Sequence, residues 1–164
     1  MPAKTSSSKR SRKPVRERGK AATSPKKPQQ QFVTAMMFVG EQNGRAGEAV
    51  MFYTSLFRNS KLIAVEPYGP GEGQGEREGA LKYARFSLDG HEFVAMDSGG
   101  PHQFTFTPAI STMVHCETAA EVERLFSNLA NGGTVLMELG KYPFSDSYGW
   151  VQDQFGVSWQ VMLV

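Results

Sequence analysis

Hydrophobic and polar positions alternate in two recurring ways along residues 31–164, and the two recur in the same order twice. Residues 32–39 (FVTAMMFV) are a short apolar run closed by Gly40, which by its length predicts a strand. Ala49, Phe52, Tyr53, Leu56 and Phe57 then follow the i, i+3, i+4, i+7, i+8 spacing of one helix face. Residues 60–68 predict a strand, the glycine-rich stretch 69–79 a loop, and residues 81–88 and 92–96 two strands around the tight-turn dipeptide Asp89-Gly90. The pattern restarts with an apolar strand over 109–116. Thr118 and Glu121 have capping-box spacing ahead of Val122, Leu125, Phe126, Leu129 and Ala130, which repeat the earlier helical stripe. Asn131-Gly132-Gly133 ends that helix, since glycine tolerates the left-handed conformation that helix ends favour. Residues 134–139 predict a strand. A closing hairpin joins 150–154 to the apolar terminal run 157–164 across Gln154-Phe155-Gly156.

The body therefore reads β-α-β-β-β twice, with module one at about 31–99 and module two at about 104–164. The fold class is α+β, a duplicated β-α-β-β-β module. The offset is 77 residues at the first strands, 73 at the helices and 66 from Gly90 to Gly156, the drift reflecting longer loops in the first half.

Charge separates the remaining segment. Residues 1–30 carry ten Lys or Arg and the single acid Glu17, a formal +9, whereas residues 31–164 carry eight Lys or Arg against fifteen Asp or Glu, a formal −7. The net +2 of the chain thus hides an acidic body behind a basic tail. The tail has one Val and no Leu, Ile or aromatic residue, too little apolar surface to offset its ordering entropy, and is expected to be disordered. Its charge suits nonspecific contact with nucleic-acid phosphates, although it offers no aromatic side chain on which a base could stack. No apolar run approaches the roughly 20 residues that span a bilayer, and no secretory signal is evident, so no membrane partner and a cytoplasmic location are expected. One cysteine, Cys116, excludes an internal disulfide and a thiolate zinc cluster, and is expected to be a small buried hydrophobe at a strand end.

Three separated segments carry a family resemblance: Gly47 to Tyr53 (GEAVMFY) with Leu56-Phe57, Phe106 to Ser111 (FTPAIS), and Asp153 to Gln160 (DQFGVSWQ). With the duplicated β-α-β-β-β order, they resemble the vicinal oxygen chelate superfamily of glyoxalase I, bleomycin-resistance proteins and extradiol dioxygenases. The similarity is nearest its PhnB-like branch, whose domain often carries the label 3-demethylubiquinone-9 3-methyltransferase. It covers the whole body but not the tail. It implies a glyoxalase-like fold in which mixed sheets curve around a cavity and two modules face each other, within a chain or exchanged between chains. It also implies a homodimer.

Metal-dependent members of that superfamily hold one divalent ion through His and Glu or Gln on the first and last strands of each module. The corresponding positions here are Thr34, Val94, Ser111 and Gln160. Such ions want nitrogen or carboxylate ligands, so this set predicts no metal. His91, His102 and His115 fall at a turn, in a loop and near a strand end. His115 and Cys116 are adjacent, so they point to opposite sides of a strand, and Glu92 and Asp97 likewise differ in parity. Ser111 and His115 lie too far apart on one face for a nucleophile pair. The Gly69–Gly79 stretch lacks both the Gly-Lys-Ser/Thr ending and the following helix of a phosphate loop. The strand, glycine-rich turn and helix that hold S-adenosylmethionine are not recognised in a body this short, so methyl transfer and cofactors are not expected.

What remains is an apolar cavity for a small organic molecule, bound without a metal. Met36, Phe104, Phe106, Trp150 and Gln160 are the expected lining, with Asp97 and Ser111 as polar anchors. Trp159, of opposite parity to Gln160, is expected in the core. The alternative is a metal-dependent lyase or dioxygenase of the same superfamily with a displaced ligand set. A further alternative is a nucleic-acid-associated protein acting through residues 1–30.

Overall fold

A computed structural model describes residues 32–73 and 75–164 of the protein. The basic tail and the contacts expected of it lie outside the described residues. Module one runs β1 (Thr34–Phe38), α1 (Ala46–Leu56), β2 (Lys61–Pro67), β3 (Leu81–Leu88) and β4 (His91–Asp97). Module two runs β5 (Thr112–Cys116), α2 (Ala119–Ala130), β6 (Thr134–Tyr142), β7 (Ser145–Gln152) and β8 (Ser158–Leu163). Each module makes one four-stranded mixed sheet, β1-β4-β3-β2 in the first (sheet A) and β5-β8-β7-β6 in the second (sheet B). The first strand of each lies parallel to the last, while the other neighbours are antiparallel. The duplicated α+β architecture read from the periodicity is what the chain adopts.

Local chemistry explains the ends of these elements. Asp89 and Gly90 both take positive φ, 45° and 83°, the backbone that a two-residue hairpin between right-twisted strands requires. Thr118 Oγ1 accepts the Glu121 amide at 3.2 Å and starts α2, as the capping spacing predicts. Helix α1 has no such cap of its own. Its first amides are bonded from the far end of the module, where Asp97 Oδ1 accepts Gly44 N–H at 2.7 Å and Ala46 N–H at 3.1 Å.

The predicted stripe of α2 is the buried one: Val122, Leu125, Phe126 and Leu129 face sheet B, and Gly149 leaves room for the Phe126 ring against β7. Helix α1 is buried on a wider arc that adds Ala46 and Val50. It packs on its own sheet and also meets the other module. Tyr53 lies 5.0 Å from Trp159 and Phe57 stacks on Trp159 at 5.3 Å, while Phe52 meets Phe155 at 5.9 Å. Arg45 sits 4.5 Å over the Phe155 ring and donates to the Gln154 carbonyl, and Arg124 donates to the Leu56 carbonyl. The two modules therefore meet through their helix-bearing sides. Trp159, fully buried, is the centre of this contact.

Candidate functional site

Because strand side chains alternate, packing the modules through their helix sides leaves the other face of each sheet outward. Sheet A presents Ala35, Met37, Tyr83, Arg85, Glu92, Val94 and Met96 on that face, and sheet B presents Met113, His115, Met137, Tyr148, Trp150, Ser158, Gln160 and Met162. These follow from the register, in which directly paired residues share a side: Arg85 with Val94, Met113 and Trp150 each with Gln160, Tyr148 with Met162. Five of the chain's eight methionines lie on the two outward faces.

The sheet B face has an ordered polar centre. Trp150 Nε1 donates to Ser158 Oγ at 2.8 Å, and Ser158 Oγ lies 2.7 Å from Ser111 Oγ. Beside it the Tyr148 hydroxyl donates to Gln160 Oε1 at 2.8 Å. On sheet A the matching positions hold an ion pair, Arg85 to Glu92, at 3.9 Å. A half-open cleft of about 410 Å³ runs where the edges of the sheets approach, between Thr34 and Thr112, with Phe57, Phe93 and Trp159 as its apolar wall and His91, Glu92 and His115 among its polar residues.

Of the expected ligand contacts, Ser111, Trp150 and Gln160 come together on this one face. The others lie elsewhere. Met36 is 4 % exposed on the helix side of β1, and Phe106 packs 5.1 Å from Phe38 in the core. Phe104 is exposed in the inter-module linker beside His102, which bonds Ser98 at 2.7 Å. Asp97 faces backbone amides rather than the outward face. It is 2 % exposed, and besides the two α1 amides its Oδ2 accepts Leu81 N–H at 2.7 Å, so both oxygens are committed to the backbone. Tyr148 and Ser158 were not singled out from the sequence. Ser158 shares its parity with Gln160, and a tryptophan N–H on a half-buried face needs an acceptor; those two signals together would have found it.

The register also corrects one superfamily equivalence. Thr34 pairs with Phe93 and Thr112 with Trp159, so Thr34 matches Thr112, one residue beyond Ser111. Val94 and Gln160 do correspond. The four positions do not share one side: Val94 and Gln160 face outward, whereas Thr34 and Thr112 pair with Phe93 and Trp159 on the helix side, and together they offer alkyl groups, hydroxyls and one amide whose oxygen already accepts from Tyr148. That donor set does not fit a divalent ion, which wants imidazole or carboxylate. Among the described residues no three His, Cys, Asp or Glu side chains gather as a metal site.

Cys116 is fully buried at the end of β5, and burial pushes its thiol up to about 11. Since the thiolate is the nucleophile, the native protein is expected to resist iodoacetamide at pH 8 and to take up one equivalent once denatured. Mass spectrometry of the two samples checks it, and rapid labelling of the native chain would contradict the assignment.

The family model described as 3-demethylubiquinone-9 3-methyltransferase matches residues 30–162. Among solved structures, the chain is similar to a protein from Bacillus cereus described as a putative 3-demethylubiquinone-9 3-methyltransferase, PhnB protein. The two are 45% identical over 82% of this chain and 100% of that one, with a TM-score of 0.75. Protein PA1353 from Pseudomonas aeruginosa is 29% identical over 82% and 98% of the two chains, with a TM-score of 0.70. A glyoxylase/bleomycin resistance protein/dioxygenase domain from Frankia shares the fold at 16% identity, covering 82% and 98%, with a TM-score of 0.52. No curated protein matches the chain.

Proposed function

We infer that this chain, which belongs to the 3-demethylubiquinone-9 3-methyltransferase family in its PhnB-like form, is a homodimeric binding protein for a small organic molecule, held in an apolar cavity without a metal. The observation that carries this reading is the packing of the modules through their helix sides. By that packing the outward face of each sheet lies on the side away from the helix contact, and in one chain only a half-open cleft forms where the sheet edges approach. A second copy related by two-fold symmetry brings the sheet A face of one subunit over the sheet B face of its partner, twice over, in an isologous contact. Methionine-rich faces suit this: unbranched, polarisable side chains fit a range of shapes, and the few ordered polar groups supply orientation.

Methyl transfer is not part of the proposal. The strand-to-helix connection of module one does contain glycines, but Asp97 already occupies its Gly44 and Ala46 amides and places a carboxylate where a cofactor's polar end would dock. No helix among the described residues is long and apolar enough to cross a membrane. Contact with nucleic acid through residues 1–30 stands as a separate proposal, tested by salt-dependent DNA binding with and without that segment.

The full chain is expected to have twice its 18.1 kDa mass in light scattering, and Met113→Arg, which puts a charge on the exposed β5 edge of the sheet B face, is expected to halve it while leaving the circular dichroism unchanged. A wild-type protein that stays monomeric at tens of micromolar would overturn the dimeric reading.

A further inference from the structure

We propose that the sheet B face recognises its ligand through a hydrogen-bond-accepting oxygen, a carbonyl or carboxylate on an apolar body, and that the Ser111 hydroxyl is the donor that meets it. This rests on the enclosed face of the reading above and adds the chemical class of the molecule inside.

The direction of the hydrogen bonds decides the matter. An indole N–H only donates, so the Trp150 bond to Ser158 Oγ at 2.8 Å runs one way. Ser158 is 3 % exposed, and Ser111 Oγ, 2.7 Å away, is the acceptor within reach of its hydrogen. Were Ser111 to donate instead, the Ser158 hydrogen would be buried without an acceptor, the costlier arrangement. The chain therefore runs Trp150 to Ser158 to Ser111. The Ser111 hydrogen is left with the Pro108 carbonyl at 3.5 Å, at the outer limit of a hydrogen bond. Ser111 is half-buried on the outward face, so its hydrogen is available to a ligand, and the two bonds behind it polarise it further. Gln160 ends in the same state. Its oxygen accepts from Tyr148, which leaves the amide hydrogens unspent.

Two neighbouring groups, each with hydrogen to donate and one oxygen lone pair already taken, favour an oxygen acceptor over an ammonium group. The duplicated fold does not need this arrangement. At the matching places of sheet A, Glu92 replaces Ser158, Arg85 replaces Trp150 and Val94 replaces Gln160, by the common register of the two hairpins. The donor chain is confined to one face of the pair.

Tryptophan fluorescence reads binding directly, because Trp159 is fully buried and Trp150 is the second of the two tryptophans. The full chain is titrated with three aliphatic probes, with absorbance corrected for the ketone: cyclohexyl methyl ketone, cyclohexanecarboxylate and cyclohexylmethylammonium. The ketone, the carboxylate or both are expected to saturate the signal, with the ammonium probe at least about tenfold weaker. Ser111→Ala is expected to weaken the bound oxygen probe about tenfold, and Ser111→Thr, which keeps the hydroxyl, to restore most of it. Preference for one oxygen probe tells carbonyl from carboxylate. Equal binding of the ammonium probe, no binding of either oxygen probe, or an unchanged affinity in Ser111→Ala overturns the proposal. Light scattering on the same samples separates the two levels: a monomer defeats the enclosed-face reading, whereas a dimer without oxygen selectivity defeats this inference alone.

Discussion

Asp153→Ala is expected to destabilise the protein by about 3–5 kcal/mol, the range for stripping a buried, fully bonded carboxylate from its donors. Asp153 is 4 % exposed and accepts four bonds: from the Tyr53 hydroxyl at 2.6 Å, Trp159 Nε1 at 2.8 Å, Phe155 N–H at 2.9 Å and Val157 N–H at 3.0 Å. Two of these shape the β7–β8 turn, which Gly156 completes at a φ of 86°. The Tyr53 bond reaches 100 residues back to α1 and joins the modules. Alanine would leave two amides, an indole and a phenol without partners in a dry contact. Asp153→Asn is expected to lose less, since its oxygen serves two donors while its amide faces the others.

Acid titration gives the prediction a sign. Burial, partly offset by the Tyr53 and Trp159 bonds, holds the Asp153 carboxyl above the usual carboxylate range. A raised folded-state value means that this group's titration favours the fold most below the unfolded-state value of about 4, and that the benefit is lost as pH rises through the folded value. The gap between wild type and Asp153→Ala is therefore expected to narrow from pH 4 to pH 7. Urea unfolding at several pH values measures both. A variant within 1 kcal/mol of wild type, or a gap that widens toward neutral pH, would count against the assignment.

What the sequence discloses here is whatever depends on near neighbours. The stripe of α2, the Thr118 cap and the Asp89-Gly90 turn each rest on residues within a few positions of one another, and each is found in the structure. The order of elements follows, and with it the duplication. Asp97 and Asp153 are different. Asp97 reads as a polar residue at a strand end, free to meet a ligand, because its acceptors' partners at Gly44 and Ala46 lie 53 and 51 residues away. Val50 falls outside the α1 stripe because a single stripe describes one buried side, whereas α1 is buried on a wider arc: it packs on its own sheet and also meets Phe155 and Trp159 through Phe52, Tyr53 and Phe57. The one-residue slip at Thr34 has a similar origin. Distance to the following helix is a poor ruler when one connection is a turn through Gly40–Gln42 and the other the Thr118 cap; the pairing partner in the parallel strand is the true one. For the site, parity within β8 groups Ser158 with Gln160, and the β7–β8 register adds Trp150. Neither says which face points outward, since that depends on how the two modules meet.

Asp97 supplies the second large effect, and it separates a structural role from a ligand-binding one. Oδ1 bonds the amides of Gly44 and Ala46 ahead of α1, Oδ2 bonds the amide of Leu81 at the start of β3, and the carboxylate charge sits at the positive end of the α1 dipole. One side chain thus ties β4 to α1 and β3. Asp97→Ala strips three backbone donors and the charge together, and is expected to cost about 3 kcal/mol or more. Asp97→Asn keeps an oxygen for the α1 amides but turns an N–H₂ toward the Leu81 N–H, so it is expected to fall between the two. Circular dichroism with urea unfolding ranks the three proteins. The folded fraction of Asp97→Asn is then titrated with the oxygen-bearing probe that the wild type binds, and its affinity is expected to match wild type within about twofold, since no atom of Asp97 reaches the outward face. Wild-type stability combined with a lost probe would reverse the assignment and return Asp97 to the cavity.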